Sequence, residues 1–412
     1  MKKFKTLIKG DPVIWVIFFF LTLISLVAVY SSIGLSAIEV SHSTPLRQFV
    51  KHAAFVVGSY AFVVLVSNVN YRRFSRISQI GYYISVALLG VMLALHMGRW
   101  MFGFQPSEIA KIVLIVYMAR QIAVNKDHVK EWITFRNLML VMIVVAVLIL
   151  PENFSTAALV CVICILMMFY GGINSRYLGY TVVVVVAVAV IGLLVAYSSY
   201  HRKVAEMELA KASIERVDDT KDGPLPRLIT WGHRIDSWWN PDKDALTQEN
   251  MARMAVARGE VFGQGIGSTI HARLMTQAHN DFIFAIIIEE TGLCMGVFIF
   301  ILYTVLFLRC IQIAGRCRGL FGSLTVAGLG SLIYVQALVN MCVAVGVLPV
   351  TGQTLPLISY GGTAYLCMGI SIGIIQSIAH DTRMTEKAEK EKAERERGFE
   401  ELYQMAAEEK KQ

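Results

Sequence analysis

Residues 178–198 read LGYTVVVVVAVAVIGLLVAYS, an apolar run without one charged side chain. An α-helix needs about 20 such residues to cross the hydrocarbon core of a bilayer. Nine further runs lie around it, near 13–32, 48–67, 80–97, 107–119, 136–150, 154–171, 282–308, 320–346 and 359–379. The fourth in chain order carries charges, and the fifth and sixth are separated only by Pro151–Asn153. Composition agrees: the chain is 56% hydrophobic and 17% charged, with a mean hydropathy of +0.57. A soluble domain of that balance would lack the polar surface to cover itself, so lipid is part of its solvent. The expected fold is all-α, a polytopic membrane protein of about ten transmembrane helices with one long extracytoplasmic loop.

The positions of the basic residues orient the spans. With Lys2, Lys3, Lys5 and Lys9 in the cytoplasm, the inner connections carry Arg72, Arg73 and Arg76, then Arg120, Lys126 and Lys130, then Arg176, and finally Arg309, Arg316 and Arg318. The short outer connections carry little beyond Arg47 and Arg99. The net charge of +8 is therefore an orientation signal. Without an aromatic-interleaved basic patch or a Gly-rich phosphate loop, it gives no sign of a nucleic-acid partner. Nine spans follow the first, which makes that run an uncleaved anchor and not a signal peptide. The seven cysteines fall in or beside spans, so neither a disulfide framework nor metal-ligand spacing is supported.

These readings divide the chain into a cytoplasmic N-terminus (1–12), spans one to seven (13–198), an outer loop (199–281), spans eight to ten (282–379) and a charged cytoplasmic tail (380–412). The tail alternates Glu, Lys, Arg and Ala as a solvated helix does. In the loop, Arg202 to Pro226 is charged, ends in a turn-like Gly-Pro-Leu-Pro and is expected to be mobile. Trp238 and Trp239 suit a membrane interface. Glu249 to Arg258 places Met251, Met254, Ala255 and Val256 at helical spacing, as in a helix lying on the membrane surface. Gly259, Gly263, Gly265 and Gly267 follow, allowing tight turns or close approach to a ligand.

Ionisable residues at membrane depth are costly and are functional candidates by default. Glu108 and Lys111 open the fourth span as an i,i+3 pair after Gln105-Pro106-Ser107, either a structural ion pair or part of a substrate groove. Asp281 sits where the long loop enters the eighth span, within Ala278-His279-Asn280-Asp281-Phe282. Water reaches it there while the dielectric is lowered, which suits a general base. From position alone a helix N-cap is the commoner role. Glu289 and Glu290 lie deeper and at least partly face the bundle interior, where one can pair with a basic residue. Residues 346–362 hold two prolines, Ser359 and Tyr360. They describe a re-entrant-like outer turn, tolerated only where protein or a polar cavity satisfies its backbone.

Taken together, Gln105-Pro106-Ser107-Glu108 with Lys111, the stretch Gln248 to Gly267, Ala278 to Phe284 with Glu289-Glu290, and Leu348-Pro349 through Leu355-Pro356-Leu357-Ile358-Ser359-Tyr360-Gly361-Gly362 resemble the SEDS family of cell-wall proteins, the FtsW, RodA and SpoVE group. The resemblance covers nearly all of residues 10–380. It implies a ten-span peptidoglycan glycosyltransferase of the bacterial inner membrane, with both termini cytoplasmic and the active site on the periplasmic face, that polymerises lipid II. The family's essential aspartate falls on Asp281, which the resemblance makes the general base. Arg234 looks like the arginine opening the family's outer-loop motif. Its implied task is holding pyrophosphate, with Arg273 or Lys111 beside it. Gln248, Glu108, His279, Ser359 and Tyr360 complete the implied substrate-binding set. No cofactor is fixed, and a divalent cation assisting the leaving group stays open. The implied partners are lipid II, a class B penicillin-binding transpeptidase and other divisome membrane proteins.

Two segments depart from the family pattern. Pro151-Glu152-Asn153-Phe154-Ser155-Thr156 replaces Gln-Pro-Asp-x-Gly-Thr, and Met275-Thr276-Gln277 replaces Leu-Pro-Glu. The run Gly263-Gln264-Gly265-Ile266-Gly267-Ser268 is closer to the division-type pattern than to the elongation type. A septal role is therefore expected. An elongation-type polymerase and a lipid II flippase are the alternatives.

Overall fold

In the computed structural model, residues 9–36, 45–95, 104–213, 225–240, 247–275 and 280–409 are described. Thirteen α-helices lie among them: α1 Pro12–Ser36, α2 Pro45–Ser67, α3 Tyr71–Ala94, α4 Pro106–Val124, α5 Trp132–Ile149, α6 Phe154–Tyr170, α7 Ser175–Ser213, α8 Leu225–Trp239, α9 Gln248–Gly259, α10 His271–Leu274, α11 Ile283–Arg316, α12 Leu320–Ala344 and α13 Gly362–Glu409. The ten expected spans fall on α1–α7 and α11–α13. Eight of these are long and apolar enough by themselves to cross a membrane, and α6 is apolar but shorter. Helix α4 is the exception, because Glu108 and Lys111 lower its hydropathy. Both are buried, and α4 is packed among α3, α5, α6, α12 and α13. A helix enclosed by protein is judged by its partners and not by lipid.

The layering follows from burial. Helices α12 and α13 form the centre, each with 72% of its apolar window buried, while α7 keeps only 11% buried. α5 and α6 are separate helices because Pro151 interrupts the chain and the Asn153 side chain caps α6, accepting from the Thr156 amide.

Four features differ from the sequence reading. Helix α3 begins at Tyr71, so Arg72, Arg73 and Arg76 lie within its first two turns and not in a loop. Helix α7 continues to Ser213, well past the expected end of the seventh span, so the charged start of the long loop is helical. Residues 214–224, also expected to be mobile, lie outside the described residues. The tail is no separate element, because α13 runs on unbroken to Glu409. It carries the i,i+4 pairs Lys387–Glu391 and Lys392–Glu396, and Arg318 ties it to the α11–α12 connection through Glu389.

The fourth difference concerns α9. Met251, Ala252 and Ala255 are buried against α11, Val256 is half-buried, and Met254 and Ala257 are exposed. Of the apolar face expected to lie in the membrane surface, Met251 and Ala255 meet protein instead, and Met254 stays exposed. Gly259 allows the approach, since a Cβ there would lie 2.1 Å from the Ile288 carbonyl oxygen. One turn on, α11 is broken at Gly292 (φ 82°, ψ 174°), a region open essentially to glycine alone. Loop 260–265 fills the break. Gln264 and Gly265 donate to the Glu289 and Glu290 carbonyls, and Leu293 and Cys294 donate to the Glu260 and Val261 carbonyls.

Gly292→Ala should therefore destabilise the fold by about 1–3 kcal/mol from backbone strain alone. Gly192→Ala on α7, with open space around its Cβ position, is the control. Thermal unfolding in detergent distinguishes them, and equal midpoints for both variants would contradict the strained break.

Candidate active site

A cavity of about 730 Å3 opens at the end of the bundle where α11 begins. Asp281, Arg234, Gln248, Glu108 and Tyr360 of the expected set all border it. Asp281 is half-buried and stands one residue outside the N-cap of α11. The cap position is Phe282, and no side chain caps the helix there. The positional reading of Asp281 as an N-cap is thus not what the backbone shows.

The backbone at Asp281 is fixed from α12 and from the turn 350–361. Asn340 Nδ2 donates to the Asp281 carbonyl at 2.8 Å and to the Gln353 carbonyl at 2.8 Å. Ser359 Oγ donates to the Asn280 carbonyl at 2.6 Å and accepts from the Leu355 amide at 2.7 Å. Ser359 is buried and does not border the cavity, so it acts as a clamp on the segment carrying Asp281.

Lys111 is likewise set behind the wall. Its Nζ meets Glu108 Oε1 at 2.9 Å and Gln336 Oε1 at 3.3 Å, and it is 1% exposed. Gln336 in turn donates to the Thr354 carbonyl at 3.0 Å. The packing shows the structural reading of the Glu108–Lys111 pair. The pair is a buried tie between α4 and α12, while Glu108 borders the cavity. Glu108 Oε2 is buried without a hydrogen-bond partner among the described residues.

On the opposite side, α8 brings Arg234 and His233 to the cavity. Arg234 Nη1 donates to the Val350 carbonyl at 3.3 Å, a single contact that holds the planar fork at the rim. Helix α8 reaches this place by packing on α7 where the expected span gives way to its extension: a Cβ at Gly232 would lie 2.4 Å from both the Ala196 carbonyl oxygen and the Tyr200 Cβ. Trp238 Nε1 then fastens α8 to the Gly346 carbonyl at 3.0 Å. Arg273 belongs to α10, with its side chain outside the described residues, and His279 lies outside them altogether.

Glu289 is paired as anticipated. Its carboxylate meets Arg258 at 2.9 Å and His271 at 2.8 Å, with Thr269 Oγ1 and the Ile270 amide also donating. Glu290 accepts from Ser31 and from the Gly267 amide at 3.2 Å. Neither glutamate borders the cavity, so both organise the loop between α9 and α11.

The sequence reading missed Lys51, His233, Glu249, Asn153 and Gln353 in the lining, and Gln336 and Asn340 behind it. The last two carried a signal: two amides at i,i+4 in an apolar span place hydrogen-bonding capacity on one helix face. Among the described residues no group of three His, Cys, Asp or Glu side chains is placed to hold a metal ion. A divalent cation here would take most of its ligands from phosphate oxygens and water, with one or two carboxylates from the protein.

A family model described as cell cycle protein, covering FtsW, RodA and SpoVE, matches residues 11–222 and 226–384. The chain belongs to this family. Among its relatives, the probable peptidoglycan glycosyltransferase FtsW of Geobacter sulfurreducens is 28% identical over 396 residues, covering 91% of this chain and 96% of its own. The probable peptidoglycan glycosyltransferase FtsW of Thiomonas intermedia is 30% identical over 369 residues, covering 83% and 81%. The rod shape determining protein RodA of Thermus thermophilus superposes with a TM-score of 0.62 at 20% identity, covering 90% of this chain and 97% of that one. A chain of a peptidoglycan synthase complex, solved for its coordination of polymerization and crosslinking, gives 0.64 at 21%, covering 90% and 98%. At these identities the structural likeness establishes the shared multi-pass fold.

Lys111→Met would leave Glu108 buried beside the cavity without a counter-charge, at a cost of about 3–5 kcal/mol. Adding Glu108→Leu should recover most of that loss. If thermal unfolding found the double variant no more stable than the single one, the pair would not be the source of the stability.

Proposed function

We propose that this protein is a peptidoglycan glycosyltransferase that polymerises lipid II into glycan strands, with Asp281 as general base. One observation carries the reading. A half-buried carboxylate, held through its own backbone, and a guanidinium from the outer-loop helix α8 border the same cavity. Its volume lies within the range of about 300–1,000 Å3 found for small-ligand sites. The reacting sugars and pyrophosphate fit such a space, while the polyprenyl tail and stem peptide extend beyond it.

The chemistry follows from these groups. The 4-hydroxyl of the acceptor sugar attacks the anomeric carbon of the donor. The bond from that carbon to the pyrophosphate oxygen breaks, and polyprenyl pyrophosphate leaves. The hydroxyl proton passes to the Asp281 carboxylate, and inversion at the anomeric carbon gives a β-1,4 link. Arg234 stabilises negative charge on the leaving pyrophosphate, which a planar fork matches better than an ammonium does. Lys51 supplies a second cation to the same cavity. Gln248 and Tyr360 offer hydrogen bonds to sugar hydroxyls, and Glu108 Oε2 accepts one more.

The cavity end of the bundle faces the periplasm in this reading, with both termini in the cytoplasm of a bacterial inner membrane. The relatives named FtsW and the division-type glycine run support a septal role. The likeness to a synthase complex that couples polymerization to crosslinking supports a penicillin-binding transpeptidase as partner.

Asp281→Asn should lower lipid II polymerisation by about a hundredfold or more while leaving thermal unfolding unchanged. The assay uses purified protein in detergent, where no two-sided membrane exists, so polymer formed by the unaltered chain also excludes flipping as its sole activity. Polymer from the Asn variant at the unaltered rate would sink the assignment. Arg234→Lys should lose about 10- to 100-fold in kcat/KM, because the hydrogen bonds to charged oxygens that the fork makes are worth about 1.5–3 kcal/mol. Full activity in that variant would remove Arg234 from the pyrophosphate site.

A further inference from the structure

A second cavity, about 260 Å3, lies at the opposite end of the bundle, between the start of α1, the end of α11 and the middle of α13. Asp11, Arg309, Arg316, Thr382, Arg383 and Glu386 border it. Three guanidiniums against two carboxylates leave the lining net positive. The three arginines are not equivalent. Arg309 is held by Asp11, with Nη2 at 2.7 Å and Nε at 3.0 Å from the same oxygen. Arg383 donates one bond, to the Gly10 carbonyl at 2.9 Å. Arg316, the last residue of α11, is exposed and makes no hydrogen bond or ion pair with a described residue.

The pocket's floor is rigid. Asp11 is 3% exposed and is latched through its backbone to Gln376, whose side chain accepts from the Asp11 amide at 2.6 Å and donates to its carbonyl at 3.1 Å. The guanidiniums therefore project from a fixed junction of three helices. Helix α11 has 34 residues and is long and apolar enough to cross a bilayer; the larger cavity lies at its start, and Arg309 and Arg316 lie near its end. The pocket therefore lies at the membrane face opposite the larger cavity, where headgroups are found.

Apolar stripes lead away from it. Val13, Val16 and Phe20 are exposed along α1, and Ile301, Val305 and Leu308 along α11. Each set follows the spacing of one helix face. The two helices touch where the rings of Phe20 and Phe298 lie 6.3 Å apart. A positive pocket at headgroup level, continued by exposed apolar side chains toward the membrane centre, matches a molecule with a phosphate at one end and acyl chains at the other. From this we infer that the pocket bordered by Arg309, Arg316 and Arg383 binds the phosphate of an anionic phospholipid. Arginine forks suit phosphate oxygens, and basic pockets between membrane helices are a recurrent way of holding such headgroups.

The test uses the full chain in detergent, with phosphatidylglycerol, phosphatidylcholine or inorganic phosphate added and bound lipid counted by native mass spectrometry. The unaltered protein should retain phosphatidylglycerol over phosphatidylcholine. Arg316→Gln should weaken that retention about fivefold, and Glu386→Gln should strengthen it by a similar factor, each being one charge at the membrane surface. Thermal midpoints recorded without lipid show whether both variants are folded, and the Glu386→Gln gain cannot arise from misfolding. Equal retention of the two lipids, or unchanged retention in both variants, would overturn the inference. So would protection from heat by inorganic phosphate in the unaltered chain with no lipid retained, an outcome that assigns the pocket to a soluble phosphate.

Discussion

The structure depends on how the non-helical backbone of residues 346–359 is satisfied. Within a membrane protein such a segment has little water to meet its carbonyls, and each unmet one costs several kcal/mol. Here side chains from five helices meet them. Trp238 and Arg253 reach Gly346, Arg234 reaches Val350, and Asn340 reaches Gln353. Gln336 reaches Thr354, Tyr303 reaches Pro356, and Ser25 reaches Ile358. The donors come from α1, α8, α9, α11 and α12, and Ser359 from the turn itself closes on Leu355. One turn thus gathers elements that are remote in sequence. Because Asn340 and Ser359 also hold the Asp281 and Asn280 carbonyls, the same network fixes the backbone of the candidate base.

The second constraint is the break in α11. A helix interrupted at Gly292 loses internal hydrogen bonds that lipid cannot replace, and loop 260–265 supplies them from outside the helix. The adjoining glutamates hold that loop in place, Glu289 through Arg258, His271, Thr269 and Ile270, and Glu290 through Ser31 and Gly267. Buried carboxylates surrounded by this many donors are positioned groups, not reactive ones. Their place near Asp281 in the sequence does not put them in the cavity.

Much of this was legible in the sequence because hydropathy and charge asymmetry act at the scale of whole helices. The apolar helices and the satisfied turn at 346–359 follow from what lipid forbids. The misreadings share a cause: one residue pattern serves two environments. Met251, Ala252 and Ala255 make an apolar face that suits a membrane surface as well as α11. Glu108 and Lys111 reduce the hydropathy of α4 although protein encloses it. Asp281 precedes a helix as an N-cap would, yet the cap geometry falls on Phe282. Lys51 and His233 gave no signal at all, because their role depends on α2 and α8 meeting across the cavity. Family resemblance named Asp281 and Arg234, and the structure places both at one cavity.

The distribution of unmatched polar atoms makes the final distinction between structure and site. Asp11 is met by Arg309 and Val13, and the two buried glutamates of α11 are met by donors on several sides. Glu108 differs. Its Oε1 is paired with Lys111 inside the bundle, while its buried Oε2 has no hydrogen-bond partner among the described residues and Glu108 borders the large cavity. Leaving a buried carboxylate oxygen unmatched is costly unless something else binds it. The same cavity edge presents Asp281, Arg234 and Lys51. Glu108 Oε2 is therefore placed with these charged side chains on one cavity, while the carboxylates of Asp11, Glu289 and Glu290 are spent on holding helices and loops together.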